Sequence, residues 1–174
     1  MVKNNIVLIG MPGVGKSTVG VILAKVMGYM FVDADLVIQN KEKKLLSEII
    51  AEVGPMGFID VENRINSEID AENSVIATGG SVVYGKEAMN HLKDIGIVVY
   101  LKVGFDVLEK RLGDIKGRGV VLKDGQNLKD LYDERIPLYE RYADIVIDEE
   151  NMGIEETVAT LKEKLDSYYM HLTK

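Results

Sequence analysis

The sequence predicts an α/β fold, a parallel sheet with helices on both faces, from three observations. Five near-continuous apolar runs of strand length are spread along the 174 residues, amphipathic stretches separate most of them, and the first run enters a glycine-rich loop ending in Lys16 and Ser17. Apolar runs without polar alternation mark strands covered on both faces, and the alternation of strand and helix favours right-handed parallel connections.

The elements follow in order. A strand is read over 6–10 (IVLIG), then a loop, then a helix through STVGVILAKVM at 17–27. The second strand is YMFVD at 29–33. Residues 34–73 offer several helices, LSEIIAEV and VENRINSEI among them, before the third strand SVIAT at 74–78. KEAMNHLKDI at 86–95 reads as a helix, IVVYL at 97–101 as the fourth strand, and DVLEKRL at 106–112 as another helix. The segment 113–125 (GDIKGRGVVLKDG) is rich in glycine and charge and reads as a mobile loop. DIVID at 144–148 supplies the fifth strand. The whole, 1–174, is read as one domain in which 34–73 is an insertion suited to capturing a ligand.

Composition narrows the function. A chain of this length buries roughly 70% of the surface its unfolded form exposes, and 47% hydrophobic with 28% charged residues is ordinary for a globular protein. The net charge of −7 argues against nucleic acid or anionic membrane as partner. There is no cysteine, hence no disulfide framework and no thiolate zinc site. No run reaches the roughly eighteen apolar residues of a membrane span, and the start of the chain lacks signal-peptide architecture; a cytoplasmic monomer acting on a small molecule is expected.

GMPGVGKS at 10–17 matches G-x-x-x-x-G-K-[ST] between strand and helix, the context that pattern requires. Its glycines let successive backbone N–H groups converge on phosphate oxygens, and the helix start adds its positive dipole end. Met11, Pro12, Gly13, Val14, Gly15, Lys16, Ser17 and Thr18 are the expected nucleotide-binding residues. Lys16 supplies a cation for the β and γ phosphates and Ser17 a hydroxyl for Mg²⁺. No N-K-x-D guanine motif follows a late strand, so a GTPase switch is not indicated. Asp33 and Asp35 stand at the carboxyl end of the second strand, where open α/β sheets bind ligands. One carboxylate suits a metal's water shell and the other the proton of an attacking hydroxyl. Alternatively both are solvated turn residues, with Asp35 capping the next helix.

These pieces resemble the shikimate kinase family over nearly the whole chain. The resemblance rests on GMPGVGKSTVG, on DAD at 33–35, on VIATGGS at 75–81, and on RLGDIKGR and ERIPLYERYAD further on. It implies a three-layer P-loop kinase fold with a five-stranded parallel sheet, a helical substrate-binding insertion and a lid at 113–125. The implied reaction passes the γ-phosphoryl group of ATP to the 3-hydroxyl of shikimate. By position, Asp35 would be the base, and Asp33 with Ser17 would organise Mg²⁺. Gly79, Gly80 and Ser81 would line the acceptor, and Arg135 would bind its carboxylate. Arg118 would close on the phosphates with Lys16, and Arg111 would lie against adenine.

The departures fall mainly in the substrate half. Where the family has G-F-R-x-x-E this chain reads GFIDVE, with Ile59 in the arginine position and Glu62 kept. A lost charge-assisted hydrogen bond of about 1.5 to 3 kcal/mol would weaken shikimate binding roughly ten- to a hundredfold. Arg64 points about 140° around the helix from position 59 and is no simple substitute. Pro55 stands for an acidic residue, Ser81 for a third glycine, and Gly119-Val120 for proline and leucine in the lid. A kinase of another polyol or hydroxy acid, and a non-catalytic nucleotide-binding module, therefore stay open beside shikimate kinase.

Overall fold

Asn5–Ile9 (β1) is wholly buried because it is the middle of the sheet. The computed structural model describes residues 4–112, 120, 122–123 and 125–172. In these, β1 is followed by α1 (Lys16–Met27), β2 (Met30–Asp33), α2 (Ala34–Glu42), α3 (Leu46–Asn66) and β3 (Ser74–Ala77). A short 3₁₀ turn (Val82–Tyr84), α4 (Lys86–Ile95), β4 (Gly96–Lys102), α5 (Phe105–Leu112), α6 (Leu128–Tyr142), β5 (Ile145–Asp148) and α7 (Ile154–Leu172) complete the order.

All pairings are parallel and the strand order is β2-β3-β1-β4-β5. Ile6 lies between Val75 on β3 and Ile97 on β4. Asn5, fully buried, ties these strands at their amino ends: its amide donates to the carbonyls of Ala71 and Ile95, and its Oδ1 accepts from the N–H of Ser74.

The expectation of strands covered on both faces holds for β1, β3 and nearly all of β4, and fails at the edges. In β5, Ile145 and Ile147 are buried while Val146 and Asp148 are exposed, and Met30 of β2 is 71% exposed. An edge strand lacks neighbours on one side, so continuous apolar sequence there does not translate into two-sided burial. α3 joins the helix read at 46–53 to most of the one read at 61–69, ending at Asn66, with a break at Gly54. There φ is 73° and ψ 171°, and Pro55 then opens the second half, where its missing N–H costs nothing. The long C-terminal helix α7 lies outside the elements read from the sequence; its heavily charged pattern hides a face that packs on α1 and β5.

Candidate active site

The loop after β1 needs bare backbone. A side chain on Gly10 would lie 2.7 Å from the carbonyl oxygen of Leu101 on the neighbouring strand, and Gly15, with φ of 100°, caps α1 in the left-handed region. Lys16 opens the helix and folds back over the loop, its ammonium donating to the carbonyls of Gly10 at 2.8 Å and Met11 at 2.9 Å. Burial pushes that ammonium down to about 8, against the opposing pull of Asp35. Met11 contributes its carbonyl; its side chain belongs to the core, with the sulfur 3.7 Å from the Tyr139 hydroxyl.

At the end of β2 the two aspartates divide the work. Asp33, not Asp35, caps α2: its Oδ1 accepts from the N–H groups of Asp35 at 3.0 Å and Leu36 at 3.4 Å. Its other oxygen accepts from the Ser17 hydroxyl at 3.1 Å, which brings together, across two elements, the two residues expected to hold Mg²⁺. The Asp35 carboxyl is thereby free to face the cleft, and burial first, then the Asp33 charge, raise it above the usual carboxylate range against the pull of Lys16.

That cleft encloses ≈ 280 Å³ between the P-loop and the turn after β3. Lys16, Ser17, Thr18, Asp35, Gly79, Gly80 and Ser81 all line it, as do Leu46, Phe58 and Glu62 from α3. The glycines are required by close approach. A side chain on Gly79 would meet Glu62 Oε1 at 2.3 Å and Asp35 Oδ1 at 3.2 Å, and one on Gly80 would meet Pro12 Cδ at 2.7 Å and Arg135 Nη1 at 3.0 Å. Gly80 is further held by its carbonyl, which accepts from the Tyr139 hydroxyl at 2.6 Å.

Arg135 is no surface charge. It is 1% exposed, beside Gly80, with its guanidinium 5.2 Å from the centre of the Tyr84 ring and its Nε donating to the Tyr84 hydroxyl at 3.4 Å. Tyr84 in turn donates to Glu134, which also takes Lys123 at 3.0 Å and 3.1 Å. Ile59 is half-buried and does not line the cleft; the residues of α3 that do so from its second half, Phe58 and Glu62, are four apart on one face. Arg64 pairs with Glu42 at 2.7 Å on the exposed side, so it brings no charge to the acceptor.

Glu62 was kept in the motif but carried no role in the sequence reading. It is 1% exposed, accepts from the Ser81 hydroxyl on Oε2, and among the described residues has no hydrogen-bond partner on Oε1. Burial pushes its carboxyl up to about 7, with Ser81 pulling the other way. Between the ordinary carboxylate range and about 7 the folded chain therefore holds a proton that the unfolded chain has released. The stability this group contributes at low pH is lost as pH rises through that window, by about 3 kcal/mol. Glu62→Gln is expected to flatten that part of the stability curve, read as urea midpoints at pH 5 and pH 7.5. Equal slopes in the two proteins would show that Glu62 is ionised throughout.

A second cleft of ≈ 320 Å³ lies on the other side of the P-loop. Gly13, Val14 and Thr18 border it with Arg111, whose Nη1 donates to the carbonyl of Val14 at 3.3 Å and lies 3.9 Å from Glu149 Oε2. Glu149, Met152, Ile154 and Thr157 complete the wall. None of these four was read from the sequence, although Glu149 directly follows β5 at the ligand-binding edge of the sheet, a usable signal. Arg118 and most of 113–125 lie outside the described residues.

The shikimate kinase family model matches residues 12–166. The shikimate kinase of Thermodesulfovibrio yellowstonii is 37% identical over 172 residues, covering 97% of this chain and 96% of its own. A solved shikimate kinase from Acinetobacter baumannii, in complex with shikimate, superposes with a TM-score of 0.84 at 31% identity, covering 99% of this chain and 97% of that one. The Aquifex aeolicus enzyme gives 0.79 at 30% identity, over 95% and 98% of the two chains. With a phosphate-cradling loop and a free carboxylate beside it, and with similarity along its full length, the chain belongs to the shikimate kinase family and is an ATP-dependent small-molecule kinase.

Proposed function

We propose that this chain transfers the γ-phosphoryl group of ATP to a hydroxyl of shikimate. The observation that carries the reading is the single cleft in which the Lys16 ammonium, the Asp35 carboxyl and the Gly79–Gly80 turn meet. The phosphates rest on the backbone of residues 11–18, and Lys16 exchanges its two loop carbonyls for phosphate oxygens. The acceptor oxygen bonds to the γ phosphorus, the bond from that phosphorus to the β–γ bridging oxygen breaks, and the hydroxyl proton passes to Asp35. Its raised carboxyl makes Asp35 a better proton acceptor than an ordinary aspartate.

Ser17 and Asp33 suit Mg²⁺, since one hydroxyl and one carboxylate leave room for phosphate oxygens and water around a small octahedral ion. Among the described residues no group of three or more His, Cys, Asp or Glu forms a metal cage, so nucleotide-borne Mg²⁺ fits better than a resident ion. When bound it would supply positive charge against the charge that develops on the transferring phosphoryl group. Arg135 takes the acceptor carboxylate, the Arg111 cleft takes the nucleoside, and Arg118 is assigned to the phosphates from the resemblance alone. Both clefts are built from residues of one chain, so the reading needs no residue from a second copy. No helix of the described residues is long and apolar enough to cross a membrane, and the reading assigns the work to the cytoplasm.

A different hydroxylated acceptor is the second reading, favoured by Ile59. The decisive experiment is a phosphoryl-acceptor screen with ATP and Mg²⁺ in which shikimate is compared with other hydroxy acids and polyols. Ile59→Arg then separates the two readings. If shikimate is the acceptor, a second guanidinium lowers its KM, by roughly tenfold or more. If the true acceptor has no carboxylate there, the same change brings no improvement in its KM, since Ile59 does not line the cleft.

A further inference from the structure

Glu62 presents an arrangement that the phosphoryl-transfer reading does not use. Its side chain is buried at the wall of the acceptor cleft, one oxygen is engaged by Ser81, and the other faces Gly79 without a partner. A side chain on Gly79 would run into Glu62 Oε1 and stand 3.2 Å from Asp35 Oδ1, so the unpartnered oxygen of Glu62 and the candidate base flank the same glycine. Ser81 is buried as well, and among the described residues its hydroxyl has no other partner. We propose that Ser81 and Glu62 form a specificity-determining pair, in which Ser81 fixes the carboxyl and its free Oε1 hydrogen-bonds an acceptor oxygen beside the reacting hydroxyl. The inference rests on the kinase reading of the cleft.

The pair acts as a neutral donor. Ser81 donates to Oε2, which leaves Oε1 as the place for a proton, and burial holds the carboxyl protonated up to about pH 7. The groups around it are mixed in sign: Lys16 from α1, Asp35 from α2, and Arg135 and Tyr139 from α6. An ionised Glu62 would add a second carboxylate to the Asp35 side of a cleft that must receive an anionic acceptor and phosphates. A protonated one offers an O–H without charge, and an acceptor presenting an oxygen at that spot is selected over one presenting a methylene, since a buried donor left unpaired is costly.

The test is the KM for shikimate, measured from pH 6 to pH 8.5 with saturating ATP and Mg²⁺, in the intact protein and in Glu62→Gln and Ser81→Ala. In the wild type the KM should rise above about pH 7, approaching tenfold per pH unit as one proton is lost. Glu62→Gln keeps an N–H donor that does not titrate, so its KM should stay low and flat. Ser81→Ala removes the hydrogen bond that favours the ionised carboxyl, so its limb should move to higher pH. Lys16 also titrates near the top of this range and feels the Glu62 charge, but losing that charge moves a Lys16 limb to lower pH in Glu62→Gln rather than flattening it, and saturating ATP holds the lysine charged in all three proteins. A wild-type KM independent of pH, or a limb that persists in Glu62→Gln, overturns the proposal. If shikimate is not turned over at all but another hydroxylated metabolite is, the shikimate assignment falls and the same series with that metabolite decides this one. A ¹³C titration of the Glu62 carboxyl in the uncomplexed protein needs no acceptor: a midpoint near 7 that rises in Ser81→Ala supports the pair, and a midpoint below 5 sinks it.

Discussion

Lys16→Ala should abolish phosphoryl transfer while the protein stays folded. Among the described residues the ammonium is the only lysine charge lining the first cleft, and its role is to hold charge on the transferring group rather than to pack. Loss of one such preorganised donor costs about a hundred- to a thousandfold in kcat. The stability cost is smaller because two effects oppose each other. The Gly10 and Met11 carbonyls lose their partner, yet a buried ammonium held well below its ordinary pKa is relieved. ADP release in a coupled assay gives the first quantity and a thermal melt the second. Turnover at the wild-type rate would end the kinase mechanism. Because bound phosphate favours the charged lysine, ATP affinity in the wild type should also weaken above about pH 8, where free Lys16 begins to lose its proton.

Asp35→Asn is expected to cost a further about 10²- to 10⁴-fold in kcat while ATP binding changes little. The structure separates this residue from its neighbour: Asp33 holds the start of α2 and the Ser17 hydroxyl, so exchanging Asp35 for the isosteric amide disturbs neither. Because a base works deprotonated, wild-type kcat/KM for the acceptor should rise with pH on its acid side. The limb should lie above the usual carboxylate range, where burial and the Asp33 charge put it. In the asparagine variant that limb should vanish. A residual rate within a few-fold of wild type would show that the proton leaves by another route, and an isothermal titration with an ATP analogue checks that binding survived.

The acceptor half was less legible than the nucleotide half. The ten residues around Lys16 report a strand, a turn and a helix start that are contiguous, so their pattern encodes their own geometry. The aspartate pair was visible at a strand end, but which of the two caps the helix was not, since that depends on Ser17 arriving from α1. Arg135 stands in a helix whose sequence alone does not say which charges are buried; the packing of α6 against the Gly80 turn buries it. Ser81 appeared as a lost glycine and Glu62 as a bystander, because their contact spans 19 residues and joins the turn after β3 to α3.

By itself the sequence determined the parallel sheet, the phosphate loop with its lysine and hydroxyl, and the family. Each of these is written in runs of neighbouring residues whose period, turn chemistry and spacing are physical constraints on local backbone. Only the tertiary structure decided what surrounds the acceptor. The order β2-β3-β1-β4-β5 sets β3 between the strand that leads to the P-loop and the strand that leads to Asp35, and so brings Gly79, Asp35, Glu62 and Lys16 to one place. The same order carries Glu149 after β5 to the far side of the loop, opposite the acceptor. Side-chain burial and the pKa shifts that follow from it arise from these long-range contacts, which no window of sequence contains.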